Sequence, residues 1–274
     1  MGGWLVYHTQ GLQNMILLLG GTSETALFAE SLTAAGYGVL VSTATEIPLA
    51  METRPGIQRR SGSLDKDALR AIIESRGIRA IADATHPYAV KVREMARRVA
   101  EQMNIPYLTY IRPTAMQESE NIFYAPNHEE AAGVAVSFGY PILLTIGSKN
   151  LRPYVQQSKK AGLKLVVRVL PERESAKACR SSGIPGEFVV TGRGPFSVEE
   201  NRSVIRKFNI GVLVTKDSGI AGGFPDKIGA ARLEKCKVVV VQRPDQKFSD
   251  AFENFADLLE AVRAKVPVKT SFTL

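Results

Sequence analysis

Residues 15–30, MILLLGGTSETALFAE, constrain the fold of this chain more than any other stretch. An apolar run over residues 16–19 ends abruptly in a glycine turn at residues 20–23, and apolar residues then recur at helical spacing. A strand, a tight turn and a helix in this order direct backbone N–H groups and the positive end of a helix dipole toward the space above the strand. The stretch therefore predicts a βα unit with a place for a phosphate.

The glycine turn matches the dinucleotide-binding pattern G-x-G-x-x-G only in part. Gly20 can be the first glycine, but Thr22 and Thr25 occupy the other two glycine positions. A Walker-type phosphate loop is excluded because no lysine follows the glycines. The alternative to phosphate binding is a tight βα turn that binds nothing.

Composition narrows the class of protein. The 274 residues, 45% of them hydrophobic, are enough to bury the core of one large or two modest domains. No apolar run approaches the roughly 18 residues of a membrane span, and we expect residues 1–14 to be an extension rather than a secretory signal. The two cysteines, Cys179 and Cys236, lie far apart, which favours a reducing cytoplasm over a disulfide framework.

The net charge of +8 does not by itself indicate a partner. Basic residues are scattered rather than gathered in runs, so we do not expect nucleic acid as a ligand. A solvated surface is the plainer explanation, and a small ligand with many carboxylates or phosphates is the alternative. The histidines at positions 8, 86 and 128 have no metal-binding spacing, and we expect no metal site.

Five strand patterns alternate with helical patterns over residues 15–113, which predicts a parallel, doubly wound sheet. The second strand ends in hydroxyl residues, Thr43 among them, rather than in the acid that often holds the ribose of NAD. This ending favours NADP. Arg59 and Arg60 on the third strand are candidates for a 2′-phosphate clamp, and the plainer alternative is that one of them faces solvent.

Residues 114–127 predict a polar connector, and the alternation then resumes over residues 128–274 as a second α/β domain. Loops that follow parallel strands gather at one edge of a sheet, where ligands of open α/β sheets bind. Unusual side chains cluster in those loops: DATHPYA (83–89), IGSKN (146–150), GRGPFS (192–197) and TKDSGIAGG (215–223). If the strand ends of the two domains face each other, they form an active-site cleft lined by Lys149, Arg193, Lys216 and Lys227, which suits a polycarboxylate.

Three side chains in these loops are candidate proton donors. His86 is the only histidine that we expect at a strand end, and it either transfers a proton or, like Thr85, caps the following helix. Tyr88 is the next candidate, with core packing as its alternative. Asp217 acts as an acid, pairs with Lys216 or caps the following turn. No Ser/His/Asp order, recurring carboxylate pair or zinc cluster supports a hydrolytic or metal mechanism.

Taken together, these segments resemble the precorrin-6A reductase family of corrin (vitamin B12) biosynthesis. The likeness lies in six stretches that follow one another in family order: ILLLGGTSE (16–24), DATHPYA (83–89), PYLTYIRP (106–113), IGSKNL (146–151), GPFSVEEN (194–201) and VTKDSG with the GG…K…AA that follows it (214–231). DATHPYA together with the distant TKDSG loop is specific. The loop at residues 219–227 and the N-terminal extension depart from the family pattern.

The resemblance implies two Rossmann-like domains with mainly parallel sheets and an element exchanged across the connector. It also implies an oxidoreductase that uses NADPH to reduce one double bond, a CH–CH group, of precorrin-6A or of its cobalt complex. Cobalt would then arrive within the substrate. Neighbouring enzymes of the pathway are candidate partners.

The resemblance also gives the candidate residues their roles. Those for NADPH are Gly20, Gly21, Thr22, Ser23, Thr43 and Thr85, with the hydroxyls of Thr22 and Ser23 turned to the pyrophosphate. Those for the acetate and propionate carboxylates of the macrocycle are Lys149, Arg193, Lys216 and Lys227. His86, Tyr88, Asp217 or solvent supplies the proton.

Two other functions stay open at this stage. One is an NADP-dependent reductase of a small carbonyl compound, but none of the eight tyrosines begins the Tyr-x-x-x-Lys pair that would favour it. The other is a non-enzymatic module that senses a dinucleotide by domain closure. Such a module would bind NADPH without oxidising it in the presence of any tetrapyrrole.

Overall fold

The structure, a computed structural model, describes residues 14–44, 55–115, 119–244 and 250–268. The chain divides into two compact units, the first formed by residues 1–112 with 245–274 and the second by residues 113–244. Most of the expected N-terminal extension, residues 1–13, lies outside the described residues. None of the helices in the described ranges combines the length and the hydropathy that a membrane crossing requires.

Strands and helices alternate along most of the described chain. In chain order the elements are β1 (Met15–Leu19), α1 (Thr25–Ala34), β2 (Gly38–Thr43), β3 (Ile57–Ser61), α2 (Lys66–Arg76), β4 (Ile78–Asp83), α3 (Val90–Gln102), β5 (Tyr107–Tyr110), β6 (Ile122–Ala125), α4 (His128–Ser137), β7 (Ile142–Leu144), α5 (Arg152–Lys160), β8 (Leu165–Val169), α6 (Arg173–Ser181), β9 (Val189–Thr191), α7 (Val198–Phe208), β10 (Val212–Lys216), α8 (Phe224–Leu233), β11 (Lys237–Val241), β12 (Ala251–Phe252) and α9 (Phe255–Lys265).

The first unit contains a six-stranded sheet in the order β12-β5-β4-β1-β2-β3, and every neighbouring pair is parallel. This is the doubly wound order of dinucleotide-binding sheets, in which the strand order reverses between β1 and β4. Apolar residues are buried on both faces of the sheet, since Ile16 and Leu18 belong to one core and Leu17 and Leu19 to the other. The predicted Rossmann-like fold is confirmed for this unit.

The second unit repeats the arrangement in the order β6-β11-β10-β7-β8-β9, again with parallel neighbours. Here β7 has the position that β1 has in the first sheet, and the strand order reverses between β7 and β10. The loops after β7 and β10 are therefore at the place where such sheets bind ligands. The predicted second α/β domain is confirmed as a second parallel sheet.

Two predicted boundaries are wrong. Each error concerns one edge strand, β12 beside β5 in the first sheet and β6 beside β11 in the second. The connector predicted over residues 114–127 contains β6, which pairs with β11. The predicted domain over residues 128–274 loses its C-terminal segment to the first unit, because β12 pairs with β5 and α9 buries Leu258 and Val262 in the first core. The Tyr37 hydroxyl reinforces this arrangement by donating to the carbonyl of Val266 at 2.8 Å.

Two helices also differ from the prediction. The helix expected directly after Pro87 begins only at Val90, with Ala89 as its N-cap residue, so neither Thr85 nor His86 caps it. The intervening loop follows Asp83, whose carboxylate accepts from the backbone N–H of Thr85 at 2.9 Å. The second difference is α5, which the sequence pattern did not predict.

Candidate functional site

The glycine turn after β1 is shaped by a close approach to α1. A Cβ atom on Gly20 would lie 2.3 Å from Cγ2 of Thr25, so only glycine fits there. Gly21 has a φ of +110°, a conformation that favours glycine. The Oγ1 of Thr25 accepts hydrogen bonds from the backbone N–H groups of Gly21 and Thr22, both at 3.0 Å. Thr25, which occupies the third glycine position of the pattern, thus fixes the turn by its hydroxyl.

The two hydroxyl residues of the turn point to different surroundings. Thr22 is buried, and its Oγ1 lies 3.3 Å both from Oγ1 of Thr25 and from the carbonyl oxygen of Ala84. Ser23 is exposed, and its hydroxyl donates to Oε2 of Glu24 at 2.9 Å. Of the two hydroxyls predicted to face the pyrophosphate, the structure therefore places that of Ser23 at the surface and turns that of Thr22 inward.

An ion pair between Glu24 and Arg112 lies directly beside the turn. Both side chains are largely buried, with 14% and 7% of their surface exposed. Burial raises the pKa of Glu24, but the hydrogen bond and the charge of Arg112 outweigh it and leave that pKa below its ordinary value. Nη2 of Arg112, the nitrogen of this ion pair, also donates to the Ser23 hydroxyl at 3.3 Å. The pair therefore joins the turn after β1 to the end of β5.

A buried carboxylate holds the loop after β4. Asp83 is fully buried. Its Oδ2 accepts hydrogen bonds from Nε of Arg93 and from the Tyr107 hydroxyl, each at 2.7 Å. Its Oδ1 accepts a hydrogen bond from the Thr85 hydroxyl, also at 2.7 Å. Burial first, and then the charge of Asp83, raise the pKa of Tyr107 well above its usual range. Because Arg93 also donates to Oγ1 of Thr85 at 3.2 Å, this predicted cofactor residue is bound into the support of the loop.

The loop after β4 also brings together two of the predicted proton donors. His86 and Tyr88 are both partly exposed, and their ring centroids lie 5.5 Å apart. The Nδ1 of His86 is 3.4 Å from the backbone nitrogen of Tyr88. Because β4 is the neighbour of β1, both rings lie at the sheet edge that carries the glycine turn.

The ends of β2 and β3 carry the candidates for NADP recognition. Thr43 is buried at the end of β2, with 3% of its surface exposed. Arg60 pairs in register with Ser42 and donates from Nη1 to the Ser42 hydroxyl at 2.7 Å. Burial lowers the pKa of Arg60. Arg59 is exposed, which is the predicted alternative for one of the two arginines.

In the second unit, basic groups cluster at the ends of β6, β7 and β10. Burial first, and then the charge of Lys149, lower the pKa of Lys216 to about 8. His128 lies 2.9 Å through Nδ1 from the Tyr154 hydroxyl. Burial and then the charge of Lys216 lower the pKa of His128 to about 4. The structure thus brings Lys149 and Lys216 into electrostatic contact and adds His128, which the sequence reasoning did not select.

The expectation that only His86 stands at a strand end is wrong, because His128 follows β6. The signal that could have found it is the apolar patch IFYA, which is this strand. A pocket of about 640 Å³ opens next to His128 and Lys149. Other residues that line it are Glu129, Arg152, Gln156 and Lys160. Three cationic side chains and one carboxylate line it, so its walls carry a net positive charge.

The remaining predicted substrate residues lie elsewhere in the second unit. Lys227, on α8, donates from Nζ to the carbonyl of Gly222 at 3.2 Å. Burial first, and then the charge of Arg168, lower the pKa of Lys227 to about 8. Arg193 is exposed, and its Nη1 lies 3.5 Å from a carboxylate oxygen of Glu172.

Asp217 is fully engaged within the second unit. Its side chain is 3% exposed; Oδ2 accepts from the Thr114 hydroxyl at 2.7 Å and Oδ1 accepts from the backbone N–H of Gly219 at 3.1 Å. Nε of Arg243 lies 3.0 Å from Oδ2, and Nη2 of Arg243 donates to the carbonyl of Pro113 at 3.2 Å. Asp217 therefore binds together the two segments at which the chain enters and leaves this unit. Of its predicted alternatives, the cap of the following turn is confirmed by the hydrogen bond from Gly219, and Arg243 is an ion-pair partner.

Comparisons with known proteins agree over most of the chain. A family model described as precorrin-6x reductase CbiJ/CobK matches residues 15–263. The chain is 30% identical over 249 residues to a cobalt-precorrin-6A reductase of Priestia megaterium, covering 90% of this chain and 98% of that protein. It is 31% identical over 256 residues to a protein of the same name from Methanocaldococcus jannaschii, covering 90% and 97%.

Two further likenesses extend this picture. A precorrin-6A reductase of Rhodococcus erythropolis is 29% identical over 231 residues, which cover 84% of this chain and 89% of that protein. The solved structure of CobK precorrin-6A reductase superposes with a TM-score of 0.76 at 21% sequence identity and covers 93% of this chain and 98% of that one. This structural match supports the fold of both units.

Proposed function

We propose a function that proceeds from one premise: the chain belongs to the precorrin-6x reductase CbiJ/CobK family. It is accordingly a reductase of cobalamin biosynthesis. The finer proposal is that it uses NADPH to reduce one double bond of the macrocycle of precorrin-6A or of its cobalt complex. The observation that carries the proposal is the match over residues 15–263, which spans the carboxyl edges of both sheets.

The first sheet suits the nucleotide. Its glycine turn lies at the reversal of strand order and ahead of the N-terminus of α1, where dinucleotide pyrophosphates bind. Gly20 lets Thr25 pack against the turn, Gly21 leaves open space where a Cβ atom would stand, and Ser23 offers an exposed hydroxyl. When bound, NADPH supplies the hydride.

Recognition of the 2′-phosphate falls to Arg60 in this proposal. Its guanidinium lies against the end of β2, which is where the adenine ribose is held in such sheets. Thr43 is the last residue of the same strand, where many NAD-binding sheets have an acidic residue. An arginine in place of a carboxylate attracts a phosphate and offers no acceptor to the free ribose hydroxyls of NADH.

The second sheet suits the carboxylates of the macrocycle. Lys149 and Lys216 repel each other's charge, and a carboxylate between them would relieve that repulsion through charge-assisted hydrogen bonds. Arg193 and Lys227 extend the same chemistry to the loops after β9 and β10. Anchoring many carboxylates orients the ring without contributing to the chemical step, which is what a hydride acceptor needs from the protein.

Proton transfer is assigned to the loop after β4. Reduction of a double bond adds a hydride to one atom and a proton to its neighbour. His86 and Tyr88 are partly exposed beside the nucleotide turn and are the candidates for the proton donor. Asp217 is the weaker candidate, because both of its carboxylate oxygens already accept hydrogen bonds.

A spectral assay of nicotinamide oxidation tests the proposal. The purified protein is given NADPH with precorrin-6A and with cobalt-precorrin-6A in parallel, and NADH is the matched control. We expect oxidation of NADPH with at least one of the two macrocycles and weaker binding of NADH. Binding of NADPH without oxidation in both arms would instead identify a sensing module. Oxidation with a small carbonyl compound alone would identify the other reductase.

A further inference from the structure

Arg168, next to the last residue of β8, is a buried cation with an unsatisfied donor. Only 5% of its surface is exposed. Its Nη2 donates to Oδ1 of Asn201 at 2.8 Å, and its guanidinium carbon lies 4.1 Å from the centroid of the Phe196 ring. Its Nη1 is buried and has no hydrogen-bond partner within the part of the chain that the structure describes. Such a donor is costly to bury, since each lost hydrogen bond to water must be replaced.

A second cation lies within electrostatic reach. Lys227 on α8 is partly buried, and the charge of Arg168 contributes to lowering its pKa. Across the described residues neither cation forms an ion pair with a carboxylate, although the charges of Glu200 and Asp226 act on them from a distance. Glu200 accepts from the Ser197 hydroxyl and backbone N–H, both at 2.8 Å, and is thereby held in a helix cap. Two like charges therefore share a poorly solvated region without a counter-ion.

The loop at residues 192–197 holds the guanidinium in place. A Cβ atom on Gly192 would lie 2.8 Å from the Phe196 ring, so this glycine allows the ring to fold back onto the loop. Asn201 donates from Nδ2 to the carbonyls of Phe196 and Ser197 at 3.0 and 2.7 Å while it accepts from Arg168. The ring and the amide together fix the orientation of the arginine.

The second cation is tied to the same loop through a second glycine. Gly223 has a φ of +69°, and a Cβ atom there would lie 3.2 Å from Cβ of Pro195. The loop that precedes α8 therefore lies against residues 192–197. Lys227 is bonded to this preceding loop at the carbonyl of Gly222. The two cations are thus presented by two loops that touch each other.

We propose that Arg168 and Lys227 form a subsite that binds a carboxylate of the ligand at the carboxyl edge of the second sheet. A carboxylate oxygen would accept from Nη1 of Arg168 and would offset the repulsion between the two cations. The inference deepens the proposed function and rests on it, because it assigns the anion to the macrocycle. A phosphate of the nucleotide shares this chemistry and is the alternative source of the anion.

The test uses Arg168→Gln and Lys227→Met in the full chain, with Arg180→Gln as the control that removes one exposed charge from α6. The KM values for precorrin-6A and for NADPH are measured separately, and the Kd of uroporphyrin I serves as a probe that needs no turnover. Loss of a charge-assisted hydrogen bond predicts a KM for precorrin-6A and a Kd for uroporphyrin that rise about 10-fold to 100-fold in both variants. The NADPH value and the control should change less than about 2-fold.

A structural role for the two residues would give a different result. Lys227→Met removes a poorly solvated charge and keeps the length of the side chain, so its melting temperature should not fall below that of the wild type. Unchanged macrocycle constants in both variants would overturn the subsite. A rise confined to the NADPH constant would also overturn it and would assign the anion to the nucleotide. If the wild type oxidises no NADPH but binds uroporphyrin, and both variants bind it more weakly, the proposed function fails while an anion subsite at these residues stands.

Discussion

The two sheets have the same strand order but treat charge in opposite ways at their carboxyl edges. In the first unit the buried cations are neutralised, Arg93 by Asp83 and Arg112 by Glu24. In the second unit burial lowers the pKa values of Lys216, Lys227 and Arg168, to about 8, 8 and 10. Apart from Arg60, whose pKa burial also lowers, the first edge is neutral and shaped by glycine, whereas the second is an edge of desolvated cations that suits a ligand with many anions. In the proposed function one topology serves two kinds of ligand, because binding depends on the loops rather than on the sheet.

The largest effect in this comparison is expected from Gly20→Val. The added side chain would collide with Thr25, which is fully buried, so the turn must shift. We expect the free energy of unfolding to fall by about 3 kcal/mol, at the upper end for overpacking, and binding of NADPH to be lost. Gly133→Ala is the control, since its position in α4 has no atom within 4 Å of the added Cβ. It should gain about 0.5 kcal/mol from helix propensity.

Urea denaturation and NADPH titration of the two glycine variants provide the measurements. Macrocycle binding by Gly20→Val, measured with uroporphyrin at a temperature where the variant is folded, should stay near the wild-type value. A variant that keeps its NADPH affinity would show that the first turn is only a structural turn and would remove the contrast between the two edges.

The next effect is expected from Lys216→Ala in the second unit. Removing one desolvated cation should weaken macrocycle binding by about 10-fold, as expected for one charge-assisted hydrogen bond, and leave NADPH affinity nearly unchanged. Lys207→Ala removes an exposed lysine of α7 and serves as the control. The Kd of each ligand is measured by titration. Loss of nucleotide binding alone would mean that the roles of the two units are reversed.

Much of the fold was predictable from local patterns, and the exceptions share one cause. Apolar runs and the turns after them located the other ten strands, most clearly those at the centre of each sheet, because parallel strands buried on both faces are nearly continuous in hydrophobicity. The outermost strands β6 and β12 have four and two residues, and α5 buries only Tyr154 and Ser158. The apolar patch IFYA is a local sign of β6, but the places of β6 and β12 depend on pairing with β11 and β5, and that of α5 depends on packing.

The loops that carry the candidate site were predictable from the sequence, but the contacts of their side chains were not. The turn after β1 could be identified from the sequence. The hydrogen bonds from the N–H groups of the turn to the Thr25 hydroxyl could not, because they depend on the space that Gly20 leaves. Arg168 stands in LVVRV, which has the pattern of a core strand. The signal that marks it is an arginine inside an otherwise apolar parallel strand, and its unsatisfied donor appears only once the neighbouring loop is in place.

An effect of similar size is expected from Arg60→Ala, which sharpens the contrast at the nucleotide edge. If Arg60 binds the 2′-phosphate, the variant should bind NADPH about 10-fold more weakly and NADH equally well, because one charge-assisted contact is lost. Arg59→Ala is the matched control, since the neighbouring arginine is exposed. Equal losses for NADPH and NADH would indicate a general effect on the sheet instead of phosphate recognition. The two dissociation constants are measured by fluorescence titration of each variant.

The smallest effect is a pH dependence of stability that belongs to the second unit. The pKa values of Lys216 and Lys227 fall from 10.5 in the unfolded chain to about 8 in the folded one. Below pH 8 both states carry these charges, and the folded chain bears the full cost of burying them. Between pH 8 and 10.5 the folded state releases protons that the unfolded state keeps, so the free energy of unfolding should rise with pH. From pH 7.5 to 9 we expect a gain on the order of 1 kcal/mol.

Urea midpoints at pH 7.5, 8.2 and 9 measure this gain in the wild type and in the double variant Lys216→Met/Lys227→Met. The window ends at pH 9 because the pKa of Cys236 rises from 9.0 to about 11 on folding, which destabilises the folded state above that range. The double variant should have a flatter pH profile and, at pH 7.5, a stability at least equal to that of the wild type. If both proteins gain equally, the two lysines are not the source of the dependence and the charges of the second edge are better solvated than their burial implies. Saturating uroporphyrin should also flatten the wild-type profile, since a bound carboxylate holds the lysines in their charged form.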